Sequence, residues 1–318
     1  MSELTGTKIL GFGGYQPDKV VTNDDLAKLV DTNDEWIRSR VGIESRRVAR
    51  DDETVEDMAE QAGAKALAAS GLEPSDVDLV IVATCSPVVP LPNVAATVAY
   101  RLGIPAPGAY DLNAACAGFC YAIGAASDSV RVGSARNVLV IGAEKMTSWI
   151  DWTDRSTCII FADGAGAAVV GPAAPGEPQG IGPVVWGSAG DQASKITITG
   201  RNGAITQDGQ AVFRWATTAM APVALEACRR AGVTPADISA FVPHQANLRI
   251  IEAIARRLGI PRDRVADDII QAGNTSSASI PLALSRMAEQ GRLRPGTPAL
   301  LVAFGAGLSY ASQVITVP

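Results

Sequence analysis

The feature that most constrains the fold is that two halves of the chain carry the same short segments in the same order. SGLEPSDVDLVIV at 70–82 and AGVTPADISAFVP at 231–243 match in glycine, proline, aspartate and apolar positions at a shift of 161 residues. Each echo alone is a common strand or helix-end solution, but three in a preserved order indicate an ancestral duplication. We therefore predict two halves, 1–175 and 176–318. The other two echoes are RLGIP at 101–105 and 257–261, and F-x-x-G-A-G at 161–166 with F-G-A-G at 304–307.

Apolar, β-branched runs alternate along the chain with alanine-rich helical stretches. Strands separated by helices are typical of α/β layering, so we expect an α/β fold built from two βαβα-type halves. Two such halves related by a pseudo-twofold axis would bring equivalent loops together at one central site. The strand-like runs are LVIVAT (79–84), VLVIGAE (138–144), CIIFADGAGAAVVG (158–171), FVPHQ (241–245) and ALLVAFGAG (299–307).

Composition excludes several classes of function. The 318 residues, 47% of them hydrophobic, supply an ample core for one large or two ordinary domains. A net charge of -6 predicts no binding of nucleic acid, and an acidic partner would need a local basic patch. No run approaches the roughly 18–20 apolar residues of a membrane span, and the start MSELTGTKIL lacks the layout of a secretory signal. We expect no membrane span and a cytoplasmic location.

The cysteines and the histidine argue against disulfide and metal chemistry. Five scattered cysteines, an odd number, are unlike a disulfide framework, so we expect reduced thiols. With no CxxC pair and a single histidine, the chain also lacks soft ligands for a zinc site, and we predict no metal. The cysteines are Cys85, Cys116, Cys120, Cys158 and Cys228.

Cys116 and Asn274 lie at corresponding strand-to-helix turns of the two predicted halves. Cys116 follows Pro105 by 11 residues, where a strand-like segment gives way to a helix rich in small residues. Asn274 follows Pro261 by 13 residues, within QAGNTSSASIPLALSRM. The duplication therefore predicts that the two side chains face each other across the axis.

Cys116 is a candidate nucleophile. A thiol in the first turn of a helix meets the positive end of the dipole and free backbone N–H groups, which favour a thiolate and can hold an oxyanion. Cys116 and Cys120, four residues apart, are alternatively small core residues on one helical face, since free cysteine usually serves packing. We accept that alternative for Cys120. The alanines and the glycine flanking Cys116 leave room for a substrate, which favours function there.

His244, the one histidine, ends the strand-like FVPHQ and precedes the helix predicted at 246–259. A lone histidine is more often structural, but strand ends are where sites of α/β proteins gather. Its neighbours Gln245 and Asn247 are polar, and we expect a functional His244.

Two glycine-rich segments follow apolar runs. GAG at 305–307 predicts a tight turn whose N–H groups can complete an oxyanion hole. ADGAG at 162–166 superficially suits a phosphate loop, but it lacks the GK[ST] ending and leads into AAVVGP. We interpret it as a structural turn.

A basic stripe follows His244. Arg249 and Arg256 lie seven residues apart on one helical face, with Arg257 beside them and Arg214 in GQAVFRWA. An exposed basic stripe on an acidic protein favours a phosphorylated or acidic partner. Pairing of Glu252 with Arg249 and Arg256 would instead make it a solvated face, and spacing leaves both readings open.

Six segments together resemble the β-ketoacyl-acyl-carrier-protein synthase III family, over essentially the whole chain. The resemblance implies a thiolase-like homodimer, layered α/β/α/β/α, that condenses an acyl-CoA starter with malonyl-acyl-carrier protein and so primes type II fatty acid synthesis. It implies no cofactor besides the coenzyme A thioester substrate. The segments are DEWIRSRVGI (34–43), NAACAGF (113–119), FADGAGAAVV (161–170), PHQANLRI (243–250), GNTSSASIPLAL (273–284) and AFGAGLSYAS (303–312).

The resemblance also implies a role for each candidate residue. Cys116 would be acylated, while His244 and Asn274 would hydrogen-bond the malonyl thioester carbonyl so that decarboxylation gives an enolate. Backbone N–H groups of Cys116 and Ala306 would form the oxyanion hole.

Binding residues come from the same resemblance. Trp36 and Arg155 would sandwich the adenine of coenzyme A and Arg40 would meet its phosphates, with help from Asn247, Arg249 and Gly209. Gly209 is the single contact assigned to the polar linker 190–209. The carrier protein would dock on Arg214, Gln245, Ala246, Asn247, Leu248, Arg249, Arg256 and Arg257. Phe161 and Phe304 would line the acyl pocket, which Leu91 would close across the dimer.

Other functions remain to be separated. A degradative thiolase needs a second catalytic cysteine near the C-terminus, and no cysteine follows Cys228; a Cys-His-His condensing enzyme needs two histidines. A starter synthase or acyltransferase of a polyketide or other secondary pathway stays open. A non-catalytic scaffold that binds acyl-CoA or a carrier protein is disfavoured by the intact Cys116, His244 and Asn274.

Overall fold

The computed structural model describes residues 6–200 and 203–318. Residues 1–5 of the start segment and residues 201–202 of the 190–209 linker lie outside the described residues. The strands are β1 (Thr7–Tyr15), β2 (Lys19–Thr22), β3 (Ser45–Val48), β4 (Leu79–Ala83), β5 (Gly108–Leu112), β6 (Val138–Lys145), β7 (Asp163–Pro172), β8 (Val185–Ser188), β9 (Ile196–Ile198), β10 (Ile205–Gln207), β11 (Ala240–Pro243), β12 (Pro298–Gly305) and β13 (Ser309–Thr316). The helices are α1 (Asn23–Leu26), α2 (Asp34–Val41), α3 (Val55–Ser70), α4 (Val94–Arg101), α5 (Gly118–Arg131), α6 (Arg155–Cys158), α7 (Gly209–Arg230), α8 (Leu248–Leu258), α9 (Ile269–Ala272) and α10 (Ser279–Glu289).

Two mixed sheets have the same strand order. In the first sheet the order is β1-β7-β6-β4-β5, with β6, β4 and β5 parallel and with β7 antiparallel to both β6 and β1. The second sheet runs β8-β13-β12-β11, with β11 parallel to β12 and the other pairs antiparallel. A single parallel bridge from Phe241 to Val265 lies where β5 lies in the first sheet. This match is what a duplication produces, and the division into 1–175 and 176–318 stays a prediction.

Helices cover both faces of each sheet. On the outer face of the first sheet lies α3, while α5 and α10 lie between the two sheets and α7 covers the outer face of the second. Because both of their faces are covered, β4, β6, β11 and β12 are almost entirely buried and apolar, as parallel strands require. The α/β/α/β/α layering implied by the resemblance is confirmed.

Two turns between a strand and a helix share an unusual conformation. Ala115, ahead of α5, has φ 47°, and Ser276, ahead of α10, has φ 51°. These two non-glycine residues in the left-handed region stand 161 positions apart, the same shift as the first sequence echo. The N–H of Ala115 donates to Asn113 Oδ1 at 3.1 Å, and the N–H of Ser276 donates to Asn274 Oδ1 at 2.8 Å. Each turn is thus braced by an asparagine two residues earlier.

The prediction of a turn at 162–166 is wrong, because Asp163 begins β7. The reason is a close approach of backbones between layers. A Cβ on Gly166 would lie 2.3 Å from the backbone nitrogen of Leu282 and 2.5 Å from the carbonyl carbon of Pro281, both in α10. The glycine therefore lets helix α10 pack directly on the sheet, and it is not a signal of chain reversal.

We predict that Gly166→Ala lowers the free energy of unfolding by about 1–3 kcal/mol, since backbone must shift to admit the methyl group. Chemical denaturation with an unchanged m value would measure the loss. Gly190→Ala is the matched control, because a Cβ there meets nothing within 4 Å. Equal stability of the two variants would contradict the tight packing of α10 on β7.

Candidate active site

One cavity of about 920 Å³ brings together Cys116, His244 and Asn274. They reach it from different elements, namely the turn before α5, the end of β11 and the turn before α10. Gly305 and Ala306, at the end of β12, line the same cavity. The predicted nucleophile, imidazole and carboxamide therefore share one chamber.

Cys116 lies in a 3-10 turn, Ala115–Ala117, that runs directly into α5. Gly305 backs this turn so closely that a Cβ on it would lie 2.8 Å from both the backbone nitrogen and the Cβ of Cys116. A residue with a side chain there would displace the nucleophile. The glycine thus lets β12 deliver the backbone of Ala306 beside the thiol.

The resting state of Cys116 differs from the sequence-based expectation of a favoured thiolate. Burial raises the pKa of the thiol to about 12; the hydroxyl of Ser276 lowers it, and the negative charge of Glu144 raises it further. The cost of desolvating the thiolate outweighs its stabilisation by the helix start, because none of the groups that shift this pKa is a cation. Cys116 therefore rests as a thiol, and it must lose its proton as it reacts.

His244 is held in one orientation. Its backbone N–H donates to Val302 O at 2.7 Å, its ring packs edge-on against Phe304, and Nδ1 lies 2.7 Å from Ser279 Oγ. Ser279 Oγ also accepts the N–H of Gln245 at 3.2 Å. Burial lowers the pKa of His244 to about 3. The ring is thus neutral, and the tautomer in which Ser279 donates to Nδ1 carries its proton on Nε2, where it is a hydrogen-bond donor.

Asn274 is oriented by the turn that follows it. Its Oδ1 accepts the N–H of Ser276, which leaves the amide Nδ2 to donate. Its backbone is paired with the Phe161 segment, since Asn274 N donates to Ile160 O and Ala162 N donates to Asn274 O, both at 2.9 Å. The cavity thus presents two neutral donors, from His244 and Asn274, together with a thiol, a set that can stabilise negative charge on a carbonyl oxygen.

The aromatic and basic residues predicted for coenzyme A lie in the cavity wall or, in the case of Arg155, beside it on Trp36. The Arg155 guanidinium lies 4.6 Å from the Trp36 ring centroid, and that of Arg40 lies 5.7 Å away. Asn247 donates to Arg40 O at 3.2 Å and caps α8 by accepting the N–H of Arg249. Trp36, Arg40, Gly209, Asn247 and Arg249 all line the cavity.

The residues predicted for carrier docking divide into two groups. Arg214, Arg249, Arg256 and Arg257 are exposed, and Arg249 lies over the Phe213 ring at 5.4 Å. Ala246 and Leu248 are partly buried. Gln245 is 1% exposed, and its carboxamide is used internally, donating to Pro243 O and accepting the N–H of Ile269. Its side chain is therefore a brace inside the fold, away from a docking surface.

The residues predicted for the acyl pocket are likewise separated. Phe161 and Phe304 are buried in the cavity wall. Leu91 is 78% exposed and outside the described cavity lining. Within one chain it closes nothing, and only a partner could place it at the pocket.

Sequence reasoning missed one wall of the cavity. The hairpin of β9 and β10, within the 190–209 linker, contributes Ile196, Ile198 and Ile205. The alternating ITIT and AIT runs were the available signal, but each is too short to mark a strand by its period alone. Ser279 and Ser276 were also missed, because their roles depend on which neighbours they touch.

Two family models match parts of the chain. The 3-oxoacyl-[acyl-carrier-protein (ACP)] synthase III model matches residues 110–190, and its C-terminal counterpart matches residues 228–317. β-Ketoacyl-[acyl-carrier-protein] synthase III 4 of Streptomyces coelicolor is 55% identical, covering 98% of this chain and 99% of that protein. The corresponding mycobacterial synthase of Mycobacterium avium is 47% identical, covering 99% and 96%.

Solved structures give the same picture. The priming β-ketosynthase of the R1128 polyketide pathway superposes with a TM-score of 0.97 at 44% identity, covering all of this chain and 98% of that one. The 3-oxoacyl-[acyl-carrier-protein] synthase III of Aquifex aeolicus superposes with a TM-score of 0.94 at 42% identity, covering 98% and 100%. Among the residues that the structure describes, none of the helices combines the length and apolarity needed to cross a bilayer.

We predict that ¹⁵N NMR of the single histidine shows a neutral ring protonated on Nε2 between about pH 5 and pH 8. Ser279→Ala should give a mixture of the two tautomers, because Nδ1 loses its donor. Ser285→Ala, a buried serine of the same helix that instead contacts Glu289, is the control.

The depressed pKa of His244 also predicts a stability effect. Because the folded pKa lies near 3 and the usual value is 6.5, the unfolded chain binds the proton first. The contribution of His244 to stability is full above pH 6.5 and is lost as the pH falls toward 3. A His244 ring that titrates near pH 6.5 in the folded protein would contradict its burial as a neutral donor.

Proposed function

The chain belongs to the 3-oxoacyl-[acyl-carrier-protein] synthase III family and is an acyltransferase of the condensing type, and from this we propose a decarboxylative condensation through an acyl-Cys116 intermediate. The substrates would be an acyl-CoA starter and malonyl-acyl-carrier protein; the products would be 3-oxoacyl-acyl-carrier protein, coenzyme A and carbon dioxide. The single observation that supports this most is that Cys116, His244 and Asn274 line one cavity.

The first step would transfer the acyl group to sulfur. Cys116 Sγ attacks the thioester carbon of the starter, and the N–H groups of Cys116 and Ala306 hold the tetrahedral oxyanion. The carbon–sulfur bond to coenzyme A then breaks, and the thiol proton of Cys116 leaves with the departing coenzyme A. Because Cys116 rests as a thiol, proton loss and attack are coupled.

The second step would use the two donors. The malonyl thioester carbonyl accepts from His244 Nε2 and Asn274 Nδ2, and the carboxylate leaves as carbon dioxide while its electron pair forms an enolate. The enolate carbon attacks the acyl-Cys116 carbonyl, the carbon–sulfur bond to Cys116 breaks, and the leaving thiolate takes up a proton from solvent. Each donor is worth about 3–4 kcal/mol to such a transition state, and no separate cofactor takes part.

Binding of the substrates is the finer part of the proposal. Trp36, Arg155 and Arg40 would hold the adenine and phosphates of coenzyme A, since planar arginines suit both stacking and phosphate contact. Exposed Arg214, Arg249, Arg256 and Arg257 would attract the acidic carrier protein.

The starter and the pathway need separate support. Priming of fatty acid synthesis is the function we favour, and priming of a polyketide is the alternative supported by the likeness to the R1128 ketosynthase. A kinetic panel of acetyl-, isobutyryl- and longer acyl-CoA with each type of carrier protein separates them. A preference for a polyketide carrier protein would refute the fatty acid assignment.

A homodimer and a cytoplasmic location complete the proposal. Val89, Leu91 and Tyr100 are 65%, 78% and 85% exposed in the single chain, which is costly for apolar side chains that no partner covers. Sedimentation of the purified protein as a monomer would refute the dimer.

We predict that mass spectrometry after incubation with acetyl-CoA finds an acetyl adduct on Cys116. His244→Ala and Asn274→Ala should keep the adduct but release carbon dioxide from malonyl-acyl-carrier protein about 10²–10³-fold more slowly. Cys120→Ala, which alters a buried thiol one helical turn away, is the control and should behave as wild type.

The outcomes separate the alternatives. An adduct without carbon dioxide release by wild type would indicate acyl transfer to another acceptor, and neither activity would indicate a scaffold.

In the same assay, Arg256→Glu with Arg257→Glu should raise KM for the carrier substrate and leave adduct formation unchanged. An unchanged KM would refute docking on these residues.

A further inference from the structure

A buried carboxylate lies below the catalytic chamber and has no part in the steps above. Glu144, near the end of β6, is 0% exposed. Its hydrogen-bond partners are neutral hydroxyl, thiol and backbone N–H groups. The donors are Thr84 Oγ1, Cys85 N and Sγ, Ser86 Oγ, Ser276 Oγ and Ser277 N, at 2.7–3.4 Å, and Ser277 Oγ lies 2.8 Å from Oε1 and 2.7 Å from Ala83 O.

These donors come from two distant stretches of chain. Thr84, Cys85 and Ser86 follow β4, whereas Ser276 and Ser277 belong to the turn after Asn274. Oε2 takes the hydroxyls of Thr84 and Ser86 and the N–H of Cys85, and Oε1 takes the groups of Ser276 and Ser277. The carboxylate thus ties the first sheet to the turn that carries the asparagine.

That turn determines where the Asn274 amide points. Ser276 N–H donates to Asn274 Oδ1, and Ser276 has a left-handed backbone, which a residue with a side chain adopts only when its surroundings hold it there. Ser276 Oγ donates to Glu144 at 3.0 Å, and Ser277 Oγ lies 2.8 Å from it. By holding both hydroxyls, Glu144 fixes the left-handed backbone of Ser276, and Ser276 in turn orients Asn274.

The charge of Glu144 opposes the thiol chemistry. Burial raises the pKa of Cys116 most, the Ser276 hydroxyl lowers it, and the charge of Glu144 raises it further. Burial and then Glu144 also raise the pKa of Cys85, a cavity-lining thiol whose Sγ lies 3.3 Å from Glu144 Oε1. A neutral side chain in its place would ease formation of the Cys116 thiolate. The carboxylate therefore needs a purpose other than activating the nucleophile.

We propose that Glu144 is a positioning residue, whose carboxylate fixes the Ser276–Ser277 turn so that Asn274 presents its amide to the malonyl thioester. The inference rests on the proposed function, because the amide needs this orientation only if it binds a carbonyl oxygen.

Glu144→Gln tests it through two rates that move in opposite directions. Alkylation of Cys116 by iodoacetamide at fixed pH, followed by peptide mass spectrometry, should become faster, about tenfold for each unit by which the thiol pKa falls. Release of carbon dioxide from malonyl-acyl-carrier protein should become about 10- to 100-fold slower, because the amide is misplaced. Glu53→Gln, the same exchange at a buried glutamate bonded to Tyr15, should change neither rate.

Ser277→Ala is the second variant, because it removes a hydroxyl that contacts the Glu144 carboxylate and keeps the charge of Glu144. It should slow carbon dioxide release and leave the alkylation profile against pH unchanged. Release at the wild-type rate in a folded Glu144→Gln protein would overturn the inference, as would loss of both rates together. If Glu144→Gln does not fold, release at the wild-type rate by Ser277→Ala overturns it. Wild-type protein that releases no carbon dioxide would refute the proposed function itself, while the alkylation arm would still report the charge.

Discussion

Two turns from strand into helix, each braced by an asparagine oxygen that accepts the N–H two residues on, determine the geometry of the site. One turn ends at Cys116 and the other begins with Asn274. Asn113 and Asn274 both line the cavity. The first turn also brings in the thiol of Cys116, three residues after its asparagine, whereas the second leaves the amide of the asparagine itself free to donate. The same local structure can therefore supply a nucleophile from one side and a hydrogen-bond donor from the other.

The chamber is organised around neutral groups. Burial keeps Cys116 a thiol and His244 a neutral imidazole, so neither carries charge at rest. Donors in a desolvated site stabilise a developing anion more strongly than donors in water, and they need no reorganisation when it forms. Glu144, the charged group that raises the pKa of the thiol, contacts groups from two layers of the fold. These contacts hold a strained turn in place beside the reacting atoms.

Much of the fold and the site follows from the sequence because both depend on short local patterns. The runs at 79–84, 138–144 and 299–307 form β4, β6 and β12, and the helix predicted at 246–259 is α8. The turn predicted at ADGAG is instead part of β7, because Gly166 packs against the backbone of helix α10. That contact is with residues more than 100 positions away in the chain. The same limit explains the thiol pKa and the buried brace of Gln245: desolvation and internal partners are properties of packing, and no spacing along the chain encodes them.

The central claim is that the imidazole of His244 and the amide of Asn274 both donate to one thioester carbonyl opposite Cys116. It is tested most directly by a crystal structure of the Cys116→Ala protein with a non-hydrolysable malonyl thioester analogue. Our account predicts the carbonyl oxygen at about 2.7–3.2 Å from both His244 Nε2 and Asn274 Nδ2. A bound analogue whose carbonyl oxygen meets neither nitrogen would contradict it.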